Sequence, residues 1–170
     1  MLELLILTIA LWIARGIDRR ALGLRAPDSW SRALGLALGL LVALLIVEQA
    51  LEHVFHATRE QGLEPTHWEP SKALPFALNA AVVVLVAPLA EEFTYRGLGF
   101  AVLRRFGTVL AVAGTAAAFA AAHGLVQGFP ALFVFGATIA ILRWKTSSVF
   151  PGMLFHATFN GAALALAFVR

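Results

Sequence analysis

The sequence predicts an all-α fold: a polytopic transmembrane helical bundle of about six spans, integrated as one membrane domain. Three observations predict it. Of the 170 residues, 60% are hydrophobic and 14% charged, against about 45–50% and about 25% in soluble domains, and the mean hydropathy is +0.83. The apolar residues fall in long unalternated runs, whereas barrel strands would show about 9–11 residues with polar alternation. The arginines gather in every second connection between those runs, as they do in cytoplasmic loops. The same figures exclude a disordered chain, a collagen-like fibre and an ordinary soluble globule. The lack of cysteine excludes a disulfide scaffold and a cysteine-ligated zinc site.

Six runs carry the spans, since roughly 17–25 apolar residues cross a ~30 Å hydrocarbon core as a helix. Leu2–Ala14 is short, has Glu3 near its start, lacks the positive region of a signal peptide and reads as a retained first span. Ala33–Ala50 is the second; its Gly35 and Gly39 form a small-xxx-small pair that would let a neighbouring helix approach. Ala73–Leu89 is the third and runs on into charged residues. Val109–Val126, the fourth, has Ala113, Gly114, Ala117, Ala118 and Ala121 for close packing. Pro130–Leu142 is short, and Val149–Val169 completes the set. Trp12, Trp30, Trp68 and Trp144 flank spans as an interfacial belt.

The connections then fix orientation. Arg15, Arg19, Arg20, Arg25 and Arg32 lie between the first two spans, Arg104 and Arg105 before the fourth, and Arg143 and Lys145 before the sixth. With six spans these share one side, which is cytoplasmic, and both termini face outward. Segment 48–72, on the other side, is acidic: Glu48, Glu52, Glu60, Glu64 and Glu69 against Arg59 and Lys72. The net charge of +3 and pI of 10.2 therefore point to the lipid bilayer as partner, and not to nucleic acid. Residues 1–72 supply the N-terminal spans and the acidic outer loop, and 73–170 hold every polar motif. No feature fixes the oligomeric state.

An ionisable group at the bilayer centre costs roughly 2.5–3.5 kcal/mol and persists mainly where it faces a protein interior or a wet cavity. Three clusters of such residues interrupt the apolar runs. In Glu91-Glu92-Phe93-Thr94-Tyr95-Arg96, Glu92 and Arg96 are four apart, share a helix face and can pair. Glu91 is rotated from Glu92 by about 100° and is left to act; alternatively both glutamates mark the aqueous end of the span. His123 closes Phe119-Ala120-Ala121-Ala122-His123; alternatively it is a core histidine bonded to a carbonyl. His156 and Asn160 are four apart on one face; alternatively they glue helices by hydrogen bonding. Together a carboxylate, two imidazoles and an amide are the inventory for activating a water and stabilising an oxyanion. Glu52, His53, His56 and His67 read as a solvated helix end in the outer loop rather than a metal site.

The three clusters, in this order, resemble the CPBP family of membrane proteases, also called the CAAX protease and bacteriocin-processing family. Its motifs EExxxR, FxxxH and HxxxN (or HxxxD) read here as Glu91 to Arg96, Phe119 to His123 and His156 to Asn160. Ala87-Pro88-Leu89-Ala90 before the glutamates, Gly97 after the arginine, and the turn from Ile141 to Gly152 are also similar to the family. The likeness covers roughly 75–167. Tyr95 stands where Phe is more usual, and its hydroxyl could touch the site.

The resemblance implies an intramembrane endopeptidase with its active site between the motif-bearing helices. It would hydrolyse a peptide bond in a membrane-associated peptide or protein. Glu91 would be the general base, with His123, His156 and Asn160 completing the catalytic set. Glu92, Arg96, Tyr95 and Phe119 would support it. No cofactor is required under this reading. A zinc or other divalent metal is the alternative, held by His123, His156 and Glu91, but Glu91 would then no longer serve as a base. The chain lacks the HExxH arrangement that divides those jobs. Compactness and Ala/Leu/Arg-rich composition point to a prokaryotic plasma membrane. Two other functions use the same residues: a non-catalytic partner-binding or bacteriocin-immunity protein, and a proton-coupled transporter.

Depth poses a geometric problem. Glu91 lies 14 residues before Arg105, or about 21 Å along a straight helix, and His156 lies 8 residues after Ser148, or about 12 Å. A break of the third span at Gly97 and Gly99, with Phe100–Phe106 along the interface, would bring the two to one level.

Overall fold

The computed structural model describes residues 2–55, 71 and 73–169. These form six helices and, among the described residues, no strand. In chain order they are α1 (Leu2–Ala14), α2 (Trp30–Phe55), α3 (Ala73–Arg104), α4 (Thr108–Ala122), α5 (Phe129–Thr146) and α6 (Phe150–Val169). Three are long and apolar enough to cross a membrane: α2 with 26 residues, α3 with 32 and α5 with 18. The fourth predicted run is helical only to Ala122, because Gly124 takes a positive φ of 68° and ends the turn. The segment holding His56, His67, Trp68 and most of the acidic charge lies outside the described residues. His53 is on α2, with its Nε2 3.3 Å from Gln49 Nε2.

The expected break in α3 is absent. The helix runs through Gly97 and Gly99 to Arg104, and Phe100–Arg104 continues it rather than turning along an interface. It is irregular instead, with π-helical stretches at Val82–Val86 and Glu92–Gly99 on either side of Ala87–Glu91. The first has a covalent reason. Pro88 has no N–H, and its ring clashes with the carbonyl a turn earlier in a regular helix. A wider turn before it relieves that clash, and the Ala87 N–H reaches back five residues to the Val82 carbonyl. π turns of this kind recur at functional sites.

Packing is densest where α4 lies on α5, with α2 across α5 and α1 against the second π stretch of α3. Without a hydrophobic drive between helices in lipid, such contacts depend on close packing and polar bonds. Phe119, Phe135, Ile139, Leu142, Phe155 and Leu44 form the main core, and Ala10, Ala14, Leu22 and Phe93 a second one under α1. Ala116 and Ala120 are wholly buried, as close helix approach requires. A side chain at Gly136 would sit 3.1 Å from the Ala116 Cα, so α5 approaches α4 there backbone to backbone. Gly35 and Gly39 do not act this way: among the described residues no atom lies within 4 Å of a side chain built at either. The expected close approach at that pair is therefore not made by any described helix.

Candidate active site

The centre of the site is the ring of His156, which is 3% exposed on α6. Its two nitrogens address the two adjacent glutamates of α3. Nδ1 lies 3.0 Å from Glu92 Oε1, and Nε2 lies 3.7 Å from Glu91 Oε2. The one-residue step from Glu91 to Glu92 turns their side chains apart by about 100°, and an imidazole, with a nitrogen on either side of Cε1, spans that separation. With Glu92 ionised, Nδ1–H donates to it, which fixes the tautomer and leaves Nε2 an acceptor.

Glu92 and Arg96 pair as their spacing predicts. Both are fully buried, and Arg96 Nη1 donates to Glu92 Oε1 at 3.1 Å. Arg96 Nη2 donates to the Gly136 carbonyl at 2.8 Å, and its guanidinium lies 4.6 Å over the Phe119 ring. Among the described residues Glu92 Oε2 and Arg96 Nε have no hydrogen-bond partner, so the pair carries a desolvation cost and is not a simple gain in stability. Its value is positional: Glu92 holds His156, and Arg96 holds Glu92. Phe119 packs edge-on to Tyr95, at 5.6 Å, and to His156, at 5.8 Å.

Asn160 has a local task. Its Nδ2 donates to the Val83 carbonyl at 2.9 Å. In the π pattern that carbonyl would be the target of residue 88, which is a proline and has no N–H. Asn160 therefore satisfies the acceptor that Pro88 leaves open. His123 caps the C-terminus of α4 at an exposed position, rather than deep in the bundle, and its Nδ1 lies 2.8 Å from the Phe119 carbonyl. Its ring lies tilted against Phe119, with centroids 4.7 Å apart, so Phe119 contacts both histidines.

Arg143 was missed by sequence reasoning. Counted among loop cations, it lies inside α5 and is 6% exposed. Its Nε donates to the Arg96 carbonyl at 3.2 Å and its Nη2 to the Ala21 carbonyl at 2.8 Å. It sits four residues after buried Ile139, which puts both on one helix face; that spacing was the available signal. Gly152 was also missed: a side chain there would meet Ile139 at 2.8 Å and Glu92 Oε2 at 3.3 Å.

A catalytic zinc takes three protein ligands and a water. Among the described residues no three His, Asp or Glu side chains are grouped to hold a metal ion, and the metalloendopeptidase expectation finds no support.

A family model of the type II CAAX prenyl endopeptidase Rce1-like proteins matches residues 73–162, more than half of the chain. The chain belongs to the Rce1-like family. The match begins at the first residue of α3 and takes in every polar motif. Membership carries membrane-protease character at the level of the family, and the apolar helices agree with it. No curated protein and no solved structure gives a significant match.

Proposed function

We propose that this Rce1-like protein is a multi-pass intramembrane endopeptidase. It hydrolyses a peptide bond in a membrane-associated peptide or protein by a glutamate-activated water. Its helices cross the membrane as about six spans, with the arginine-rich connections in the cytoplasm. The observation that carries the chemistry is the ring of His156 held between Glu92 and Glu91.

The roles follow from the hydrogen-bond inventory. A separation of 3.7 Å lets one water lie within bonding distance of both Glu91 and His156 Nε2. That water donates one hydrogen to each acceptor and presents a lone pair to the scissile carbonyl. Glu91 takes the proton as oxygen bonds to carbon, then delivers it to the amine as the C–N bond breaks. Asn160 has a second amide hydrogen for the developing oxyanion. His123, with Nδ1 turned to the Phe119 carbonyl, presents Nε2 from the exposed end of α4 to the substrate backbone. Glu92 and Arg96 position His156, and no step requires a metal.

The test compares cleavage of a fluorogenic peptide library, including a prenylated CAAX peptide, by wild type and Glu91→Gln in detergent, with and without a strong chelator. Cleavage that survives the chelator and disappears in the variant supports the reading. Cleavage abolished by the chelator and restored by metal, or unchanged in Glu91→Gln, refutes it.

A further inference from the structure

A cleft of about 330 Å³ opens where the end of α3, the end of α5 and the connection after α1 meet. Arg20, Arg104 and Arg143 line it, with Phe100, Trp144 and Ser147, and among the described residues no carboxylate does. The acids of the neighbouring connection are committed elsewhere. Asp18 accepts from the Arg20 backbone N–H at 2.9 Å, and Asp28 pairs with Arg25.

The cations here are therefore unbalanced. Arg143 is more than nine-tenths buried, yet its hydrogen bonds go to two neutral carbonyls and its guanidinium lies 5.2 Å over Phe100. Neither bond uses Nη1. A buried guanidinium without a counter-ion is costly, and two further arginines beside it add repulsion. An anion with several oxygens answers both, because guanidinium forks match phosphate geometry. Position narrows the choice. Arg104 ends a helix long enough to cross a membrane, Trp144 is an exposed aromatic lining the same cleft, and Val102 and Phe106, two residues either side of Arg104 in sequence, are exposed apolar residues suited to acyl chains.

We propose that this cleft binds the phosphate of an anionic phospholipid headgroup at the cytoplasmic rim, held by Arg20, Arg104 and Arg143. This rests on the membrane placement given under Proposed function and not on the peptidase chemistry. Because Arg143 also holds the Arg96 carbonyl, the occupied cleft is bonded directly to the helix that carries the glutamates.

The test titrates the full-length chain in detergent with dioleoylphosphatidylglycerol, dioleoylphosphatidylcholine or inorganic phosphate, counting retained ligands by native mass spectrometry. Phosphatidylglycerol is expected to bind more tightly than either of the others. The double variant Arg20→Gln/Arg104→Gln, at two exposed positions, should weaken it about 25-fold, at about fivefold per removed charge. Arg19→Gln/Arg32→Gln removes the same charge outside the cleft and should change it less than threefold. Glu91→Gln should retain the lipid, which separates this result from failure of the peptidase reading. Equal binding of the two lipids, or equal loss in the two double variants, overturns the proposal. Inorganic phosphate binding as tightly as phosphatidylglycerol also overturns it, in favour of a soluble anion.

Discussion

Two adjacent glutamates should fail in opposite ways when changed to glutamine. Glu92 and Arg96 are both fully buried, with their charged atoms 3.1 Å apart. At an effective dielectric of about 20 that separation corresponds to about 5 kcal/mol of attraction. Glu92→Gln removes it and leaves the Arg96 guanidinium buried against neutral partners, and it weakens the acceptor that His156 Nδ1 uses. Breaking one side of such a pair costs about 3–5 kcal/mol, a large share of the roughly 5–15 kcal/mol that stabilises a folded domain. The Glu91 side chain is 20% exposed, and glutamine keeps its shape and much of its hydrogen bonding, so Glu91→Gln should cost under about 1 kcal/mol. Losing a general base should still slow cleavage by about 10²–10⁴. The assay pairs equilibrium unfolding in mixed micelles of rising dodecyl sulfate content, followed by tryptophan fluorescence, with initial cleavage rates on folded protein. A stable Glu92→Gln, or a Glu91→Gln that unfolds as readily as Glu92→Gln, would refute the division of labour.

Three further substitutions test the supports. Gly136→Ala puts a methyl group 3.1 Å from the Ala116 Cα and 3.2 Å from Arg96 Nη2; it should destabilise by about 1–3 kcal/mol, read in the same unfolding titration. Asn160→Asp replaces the donor facing the Val83 carbonyl with an acceptor. It should lose about 1–3 kcal/mol of stability and cleave more slowly than Asn160→Ala. Gly23 has φ of +72° and lies against the Arg143 guanidinium, where a side chain would approach to 2.5 Å. Gly23→Ala should cost at least about 1–2 kcal/mol for the backbone alone and displace Arg143, seen as a lower unfolding midpoint together with weaker phosphatidylglycerol binding.

The helices were legible because composition and run length carry their signal. Leu2–Ala14 was placed to the residue, and Val149–Val169 to within one. The Glu92–Arg96 pair was legible because four residues make one helical turn. The bridging role of His156 was not, since it depends on contact across 64 residues between two helices. Arg143 was misread because an arginine next to Trp144 and Lys145 looks like the start of a loop. A helix that continues to Thr146 buries it instead, and the chain turns only at Ser147, whose φ is 52°.

The irregular turns of α3 had no signal in periodicity, yet they explain two bonds between distant helices near the site. Where a π stretch passes back into α-helix, the ladder of backbone bonds shifts by one and a carbonyl is left to find another donor. At the first stretch this is Val83, whose partner in the π pattern would be residue 88, a proline without an N–H, and Asn160 supplies the hydrogen. At the end of the second, the Phe100 N–H bonds back to Tyr95, and the next carbonyl, that of Arg96, accepts from Arg143 Nε. Each orphaned acceptor thus recruits a polar side chain from α6 or α5, and those bonds fix α3 on either side of Glu91 and Glu92. A continuous helix with two widened turns therefore accomplishes what a break at Gly97 was expected to do: it brings Glu91 to the level of His156 while keeping the backbone bonded through to Arg104.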